Sequence, residues 1–443
     1  MEKSPRVSFK QINKLAIPSI IAGISEPLLS LVDTAVVGNV DTHAIEALAA
    51  VGIAGSFIAA IVWVLGQTRA SISSIVAHYV GAQKLADIRS LPAQTIGINV
   101  ALSFLLCILT VLFTRQIFQM YNAEGLVLDY AVRYCEIRAL GLPFSLFVFT
   151  VFGVFTGLQN TFWPMVISIV GAILNIGLDV LLVYGWEGVV PAMHVEGAAY
   201  ASVIAQIAMA VLALGLFVKK TPFSLRIRLP LNPELKRLVA LSVNLFVRAT
   251  ALHVTLYLAN SYATFYGKEV IAAQTICFQV WLFFAFFIDG YASVGSIISG
   301  RQKGAGQYNA LVVLVRDLSK YGISVAVILM GICFVFYRQI GGLFTSDSFV
   351  LDVFYGVFWM VLLAQPLNAI AFVYDGIFKG LAAGVALRNT LLLATFAGFV
   401  PALLLCDYFG FQLRGIWMAF TVWMAARSGI LYWKFRKQYR QAS

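Results

Sequence analysis

A carboxylate interrupts an apolar run at Asp33, within the stretch EPLLSLVDTAVVGNV from Glu26 to Val40. An ionised side chain near mid-bilayer costs about 2.5–3.5 kcal/mol on insertion scales, so one is kept mainly where an ion or a proton passes. An acid near a helix end, or one paired with an arginine, escapes most of that cost and is the competing reading. A second constellation lies in GAILNIGLDVLLVYG, where Asn175 and Asp179 stand at i and i+4, on one helical face. VEGAAYASVIAQ follows it, with Ala198 and Ser202 again four apart. Carboxylate, amide oxygen, hydroxyl and carbonyl are hard ligands of the kind Na⁺ takes. A buried carboxylate pair serves equally to hold one proton, because two like charges in a low dielectric resist ionising together. Interhelical hydrogen bonding, about 0.6 kcal/mol per contact, accounts for Asn175 or Ser202 alone but leaves Asp179 unexplained.

Around Asp33 the sequence places features that would move or tune it. Pro18 and Pro27 both lie in the first apolar run, where each removes a backbone donor and makes a candidate hinge. Glu26 precedes Asp33 by seven residues, hence on the same face, and Arg248 in the seventh run is its expected partner. No Ser–His–acid or Cys–His set, metal-ligand cluster, P-loop or dinucleotide loop is recognisable. No enzyme activity, catalytic residue or resident cofactor is therefore expected. His43, His78, His194 and His253 are singletons, and the five cysteines match no zinc or redox spacing.

The elements that carry these residues are membrane helices. The 443-residue chain is 60% hydrophobic and 12% charged, with a mean hydropathy of +0.88, far from the average soluble composition. Runs long enough to cross a bilayer cover roughly 14–38, 45–68, 92–114, 131–156, 162–184, 196–218, 238–265, 270–298, 320–341, 352–378, 389–409 and 414–433. This predicts an all-α polytopic protein of twelve transmembrane helices. The net charge of +11 sits mostly in short loops, without a basic stripe interleaved with aromatics, so no nucleic-acid partner is expected. Loops on the N-terminal side carry twenty-two Lys and Arg and the opposite loops four, which places both termini in the cytoplasm.

An internal repeat divides the chain. PFSLFVFTVFGVFTGL (Pro143–Leu158) aligns with PLNAIAFVYDGIFKGL (Pro366–Leu381) at a shift of 223, with Gly153/Gly376 and Gly157/Gly380 among the identities and Val151/Tyr374 a departure. ASISSIVAHYVGA faces ASVGSIISGRQKGA at about the same shift. The expected organisation is an N-lobe at 1–218, a basic linker at 219–237 and a C-lobe at 238–443. Two pseudo-symmetric six-helix lobes would then flank a central cleft, and rocking of one against the other would give alternating access.

PLLSLVDTAVVGNV, NIGLD, GAAYAS, NLFVRA (Asn244–Ala249) and YDGIFKG (Tyr374–Gly380) together resemble the DinF-like branch of the MATE (multidrug and toxic compound extrusion) family, over essentially the whole chain. The loop GAQKLADIRS does not fit the G-x-x-x-D-R-x-G-R-R pattern of the rival major-facilitator fold. The resemblance implies an antiporter of the bacterial inner membrane that exports organic compounds, amphipathic and cationic, against H⁺ or Na⁺. It implies a cation site on Asp33, Asn175, Asp179, Ser202 and the carbonyl region of Ala198, with Ser202 standing where Thr is more usual. Glu26 departs from the family's apolar residue, while Arg248 and Asp375 resemble the DinF-like pattern and are candidates for the substrate cavity or coupling. Expected partners are small organic molecules and lipids, with the chain a monomer. Two alternatives are a lipid-linked precursor flippase, whose relatives tend to fourteen helices and a cationic cavity, and a non-transporting scaffold.

Overall fold

The computed structural model describes residues 7–38, 43–121, 123–186 and 189–439; the side chains at 25–31, 34 and 44 fall outside that description. The fold is all-α, with no strand among the described residues. In hydrocarbon every backbone N–H and C=O must be satisfied within the segment, which leaves these apolar runs only the helix. The third pass, Leu85–Met120, shows the consequence. Ser103, Cys107, Thr110 and Thr114 are buried along one face, while Phe104, Leu105, Ile108 and Leu112 are exposed. Polar residues inward and apolar ones outward reverse the soluble pattern and suit a lipid surround.

Among the described residues, eight helices are long and apolar enough to cross a bilayer, and two further passes are bent pairs. The first helix, Phe9–Val37, and the last, Gln412–Tyr439, have 29 and 28 residues and complete the expected twelve. Each bent pair departs from the uninterrupted run expected at its place. Gly125–Ala139 and Leu142–Gly157 meet at 47°, Ser348–Leu363 and Gln365–Gly380 at 49°. Pro143 and Pro366 open the second segment of each pair, where a residue without an N–H starts a helix readily and removes a hydrogen bond to the turn before it.

The glycines of the repeat explain why it is there. A Cβ on Gly153 would strike the Arg69 carbonyl, and one on Gly157 the Ser73 carbonyl, so the fourth pass lies against the second, Ile45–Gly81. The tenth pass repeats this against the eighth, Lys268–Gly304, through Gly376 on the Ala292 carbonyl and Gly380 on the Ser296 carbonyl. Both contacts use a small-xxx-small spacing that lets two helix backbones approach.

By packing, the chain forms two compact units, one of residues 21–76 and 84–239, the other of 240–443 with 77–83 and the chain's start up to Ile20. The basic stretch expected as a linker is held within the first of these. The Gln94 side chain donates to the Arg228 carbonyl (2.7 Å) and accepts from the Asn232 N–H (2.8 Å), while Asn232 Nδ2 donates to the Asp87 carbonyl (2.9 Å). Buried polar side chains here satisfy loop backbone that would otherwise need water. The first helix also departs from the expected 1–218 lobe. Its early turns pack in the C-terminal unit, where Tyr291 donates to Asn13 Oδ1 (3.2 Å) and Ile20 lies against Gly290. The helix runs unbroken through Pro18 and Pro27, and its change of unit after Ile20 falls between them.

Candidate ion-binding site

The site grows from three helices of one unit. Asp33 sits on the last turns of the first helix, Asn175 and Asp179 on the fifth, Phe162–Tyr184, and Ala198 and Ser202 at the start of the sixth, His194–Lys220. Gly197 brings the last two together, because its bare Cα rests on the Leu182 carbonyl where any side chain would collide. Tyr184 donates to the Val36 carbonyl (2.9 Å) and ties the fifth helix to the first. The residues picked out by their i, i+4 spacing thus converge, and all are buried: Asp33 is 5% exposed and Asp179 0%.

A short chain of donors links them. Asn175 Nδ2 donates to Ser202 Oγ (3.4 Å), and Ser202 Oγ donates to Asp33 Oδ2 (3.2 Å). There the supply ends. Asp33 Oδ1 and both carboxylate oxygens of Asp179 are buried without a hydrogen-bond donor among the described residues. Two carboxylates cannot donate to one another, and the Asp33 charge acts directly on Asp179. Three orphaned oxygens on two acids are what a monovalent cation or a shared proton would satisfy. The Ala198 carbonyl belongs to an unbroken helix, whose i→i+4 ladder engages it.

A cavity of about 310 Å³ opens on this cluster, lined by Asp33, Tyr134, Arg138, Asn175, Ser202 and Gln206 among others. Tyr134 lies within electrostatic reach of both acids, and Arg138 within reach of Asp179. Neither was among the sequence candidates, since an arginine near the end of a run reads as a membrane-surface residue. Their one signal is the four-residue spacing that sets them on one face. With Arg138 counted against the two aspartates, the site carries one net negative charge.

Arg248 and Asp375 are also brought together, in the other unit. Both the Arg248 and the Arg427 guanidinium donate to Asp375 Oδ2. Arg427, 1% exposed, also lies 4.7 Å from the Trp423 ring centroid. Lys379 is in electrostatic contact with Asp375 and Asp289. Asp375 is therefore neutralised within its own unit, by a second arginine the sequence left unassigned. Glu26 and Pro27 lie outside the described side chains, so the expected Glu26–Arg248 pair has no structural account. Among the described residues no three His, Cys, Asp or Glu side chains gather as a metal site.

The MatE family profile matches residues 18–181 and 250–406. The chain is 28% identical to DNA damage-inducible protein F of Escherichia coli (strain K12), over 98% of this chain and 94% of that protein. It is 22% identical to Multidrug export protein MepA of Staphylococcus aureus (strain COL), over 94% and 90%. Among solved structures it superposes on MATE in the bent conformation with a TM-score of 0.90 at 18% identity, covering 98% of this chain and 95% of that one. A MOP superfamily transporter from Pyrococcus furiosus, described by the reverse polarity of its binding pocket, gives a TM-score of 0.86 at 20% identity, covering 97% and 96%. These last two likenesses bear on the fold.

Proposed function

The chain belongs to the MatE family of multidrug and toxic compound efflux transporters, and on that premise we propose that it exchanges amphipathic organic cations for H⁺ or Na⁺ by alternating access. The carrying observation is the trio of buried oxygens on Asp33 and Asp179 that find no donor among the described residues, with a cavity opening on Asp33. An incoming H⁺ or Na⁺ takes those oxygens, with Ser202 and Asn175 completing its surroundings, and cancels the single net negative charge. A cationic substrate is attracted by the same charge and loses that attraction once the ion is in place. Mutual exclusion at one acidic pair is the physical content of antiport, since each ligand shifts the equilibrium against the other.

Binding is converted to movement through the first helix. That helix carries Asp33 in one unit and Asn13 in the other, with Pro18 and Pro27 between as the hinge. The charge asymmetry of the loops sets both termini in the cytoplasm, with the bacterial inner membrane as the setting. Full-length protein in proteoliposomes, loaded with a fluorescent organic cation and driven by a pH gradient or by a Na⁺ gradient, tests the proposal. One gradient drives efflux, and Asp33→Asn abolishes it while reaching the membrane normally. Coupled efflux by Asp33→Asn, or no movement under either gradient, defeats it.

A further inference from the structure

A second cavity, about 460 Å³, lies in the C-terminal unit, and none of the acids described above lines it. It sits between the early turns of the ninth pass, Tyr308–Val335, the end of the tenth, and the last turns of the twelfth. Its rim carries Arg316, Lys320 and Arg436, with no carboxylate in the lining. Asp317, next to Arg316 in the chain, stands 3.7 Å from its Nε, with the arginine side chain 56% exposed and the aspartate 15%. Arg436 is held toward the pocket by donating to the Tyr432 hydroxyl (2.9 Å).

Below the rim the walls are apolar and aromatic. Tyr374 packs edge-on against Tyr432 and Phe435. Tyr374 stands opposite Val151 in the internal repeat, at one of several positions where the two copies differ. Ser319 Oγ lines it, buried and without a hydrogen-bond partner, a polar atom that a ligand oxygen would satisfy.

Three cations over an aromatic floor, at the helix ends of a membrane protein, match one ligand chemistry. We propose that this pocket binds the phosphodiester headgroup of an anionic phospholipid from the leaflet on the side of the C-terminus. Basic pockets between transmembrane helices recognise such headgroups. The phosphate is taken by the arginines and Lys320, Ser319 reaches a headgroup oxygen, and the glycerol and first acyl carbons lie on Tyr374 and Phe435. Free phosphate would use the rim but leave that floor uncovered.

Native mass spectrometry of the detergent-released full chain, titrated with dioctanoyl-phosphatidylglycerol, dioctanoyl-phosphatidylcholine or sodium phosphate, tests the assignment. One phosphatidylglycerol binds per chain in preference to phosphatidylcholine. Arg316→Gln and Arg436→Gln each weaken it about five-fold, while Arg388→Gln, an equal loss of charge elsewhere in the unit, leaves it unchanged. Ser319→Leu fills the floor and weakens the lipid with every charge intact. Equal retention of the two lipids, or an Arg388→Gln effect matching Arg316→Gln, overturns the proposal. Sodium phosphate displacing the lipid at equal concentration overturns it too, by reducing the site to an anion site.

Discussion

Gly81 and Gly304 form a reciprocal contact. A Cβ on Gly81 would collide with the Arg301 carbonyl, and one on Gly304 with the His78 carbonyl. Each glycine thus backs onto the residue three before the other, and the pairs are counterparts in the internal repeat. A backbone carbonyl cannot swing aside as a side chain can, so a methyl group on either glycine must separate the helices. Gly81→Ala and Gly304→Ala are each expected to lower stability by about 1–3 kcal/mol, read as a fall in Tm in detergent. The double variant is expected to cost less than the sum, because the second methyl enters space the first has opened. Strict additivity would mean the two helices do not meet there.

Among the described residues Ser202 is the one donor to the Asp33 carboxylate. Ser202→Ala removes it and leaves all four carboxylate oxygens of the pair wanting a partner. Losing a hydrogen bond to the ionised carboxylate destabilises the empty site by about 1.5–3 kcal/mol, so the incoming cation is held more tightly and the ion concentration for half-maximal efflux is expected to fall roughly ten-fold. Ser202→Thr keeps the hydroxyl and is expected to transport like the parent. A threonine variant shifted as far as the alanine one would show that packing, not donation, is what matters at this position.

The Arg248–Asp375–Arg427 trio gives an asymmetric expectation. Asp375→Asn leaves two guanidinium groups buried without their carboxylate, whereas Arg427→Gln leaves a balanced Arg248–Asp375 pair. Stranding a buried charge costs about 3–5 kcal/mol. Asp375→Asn is therefore expected to lower Tm well below that of Arg427→Gln, with the double variant recovering part of the loss. If Arg427→Gln is the more damaging single change, its contact with Trp423 outweighs the ion pair.

How far the sequence disclosed all this depends on whether an interaction is local. Asn175 and Asp179, Ala198 and Ser202, and the glycine pairs of the repeat are three or four residues apart, and helical spacing sets such neighbours on one face. Asp33 stood out because a carboxylate in an apolar run is costly. Arg427 did not, because its partner lies 52 residues away and only the packing of the tenth and twelfth passes unites them. The basic stretch at 219–237 read as a linker for the same reason. Gln94 and Asn232, which hold it down, are 138 residues apart, and neither type signals a loop anchor.

Arg138 offers the sharpest test of the acidic pair. It lines the cavity with Asp33 and Asn175, and its charge offsets one of the two aspartates. Arg138→Gln doubles the site's net negative charge, from one to two, without touching a proposed ligand. A cation entering that deeper field is bound more tightly and leaves more slowly. The coupling ion identified by the gradient exchange is then expected to reach half-maximal effect at roughly ten-fold lower concentration, while maximal efflux falls. Arg138→Lys, which keeps the charge, is expected to stay near the parent on both measures. A higher ion requirement in Arg138→Gln would instead make the guanidinium a support that holds the carboxylates in place, and the charge count offered for the site would be wrong.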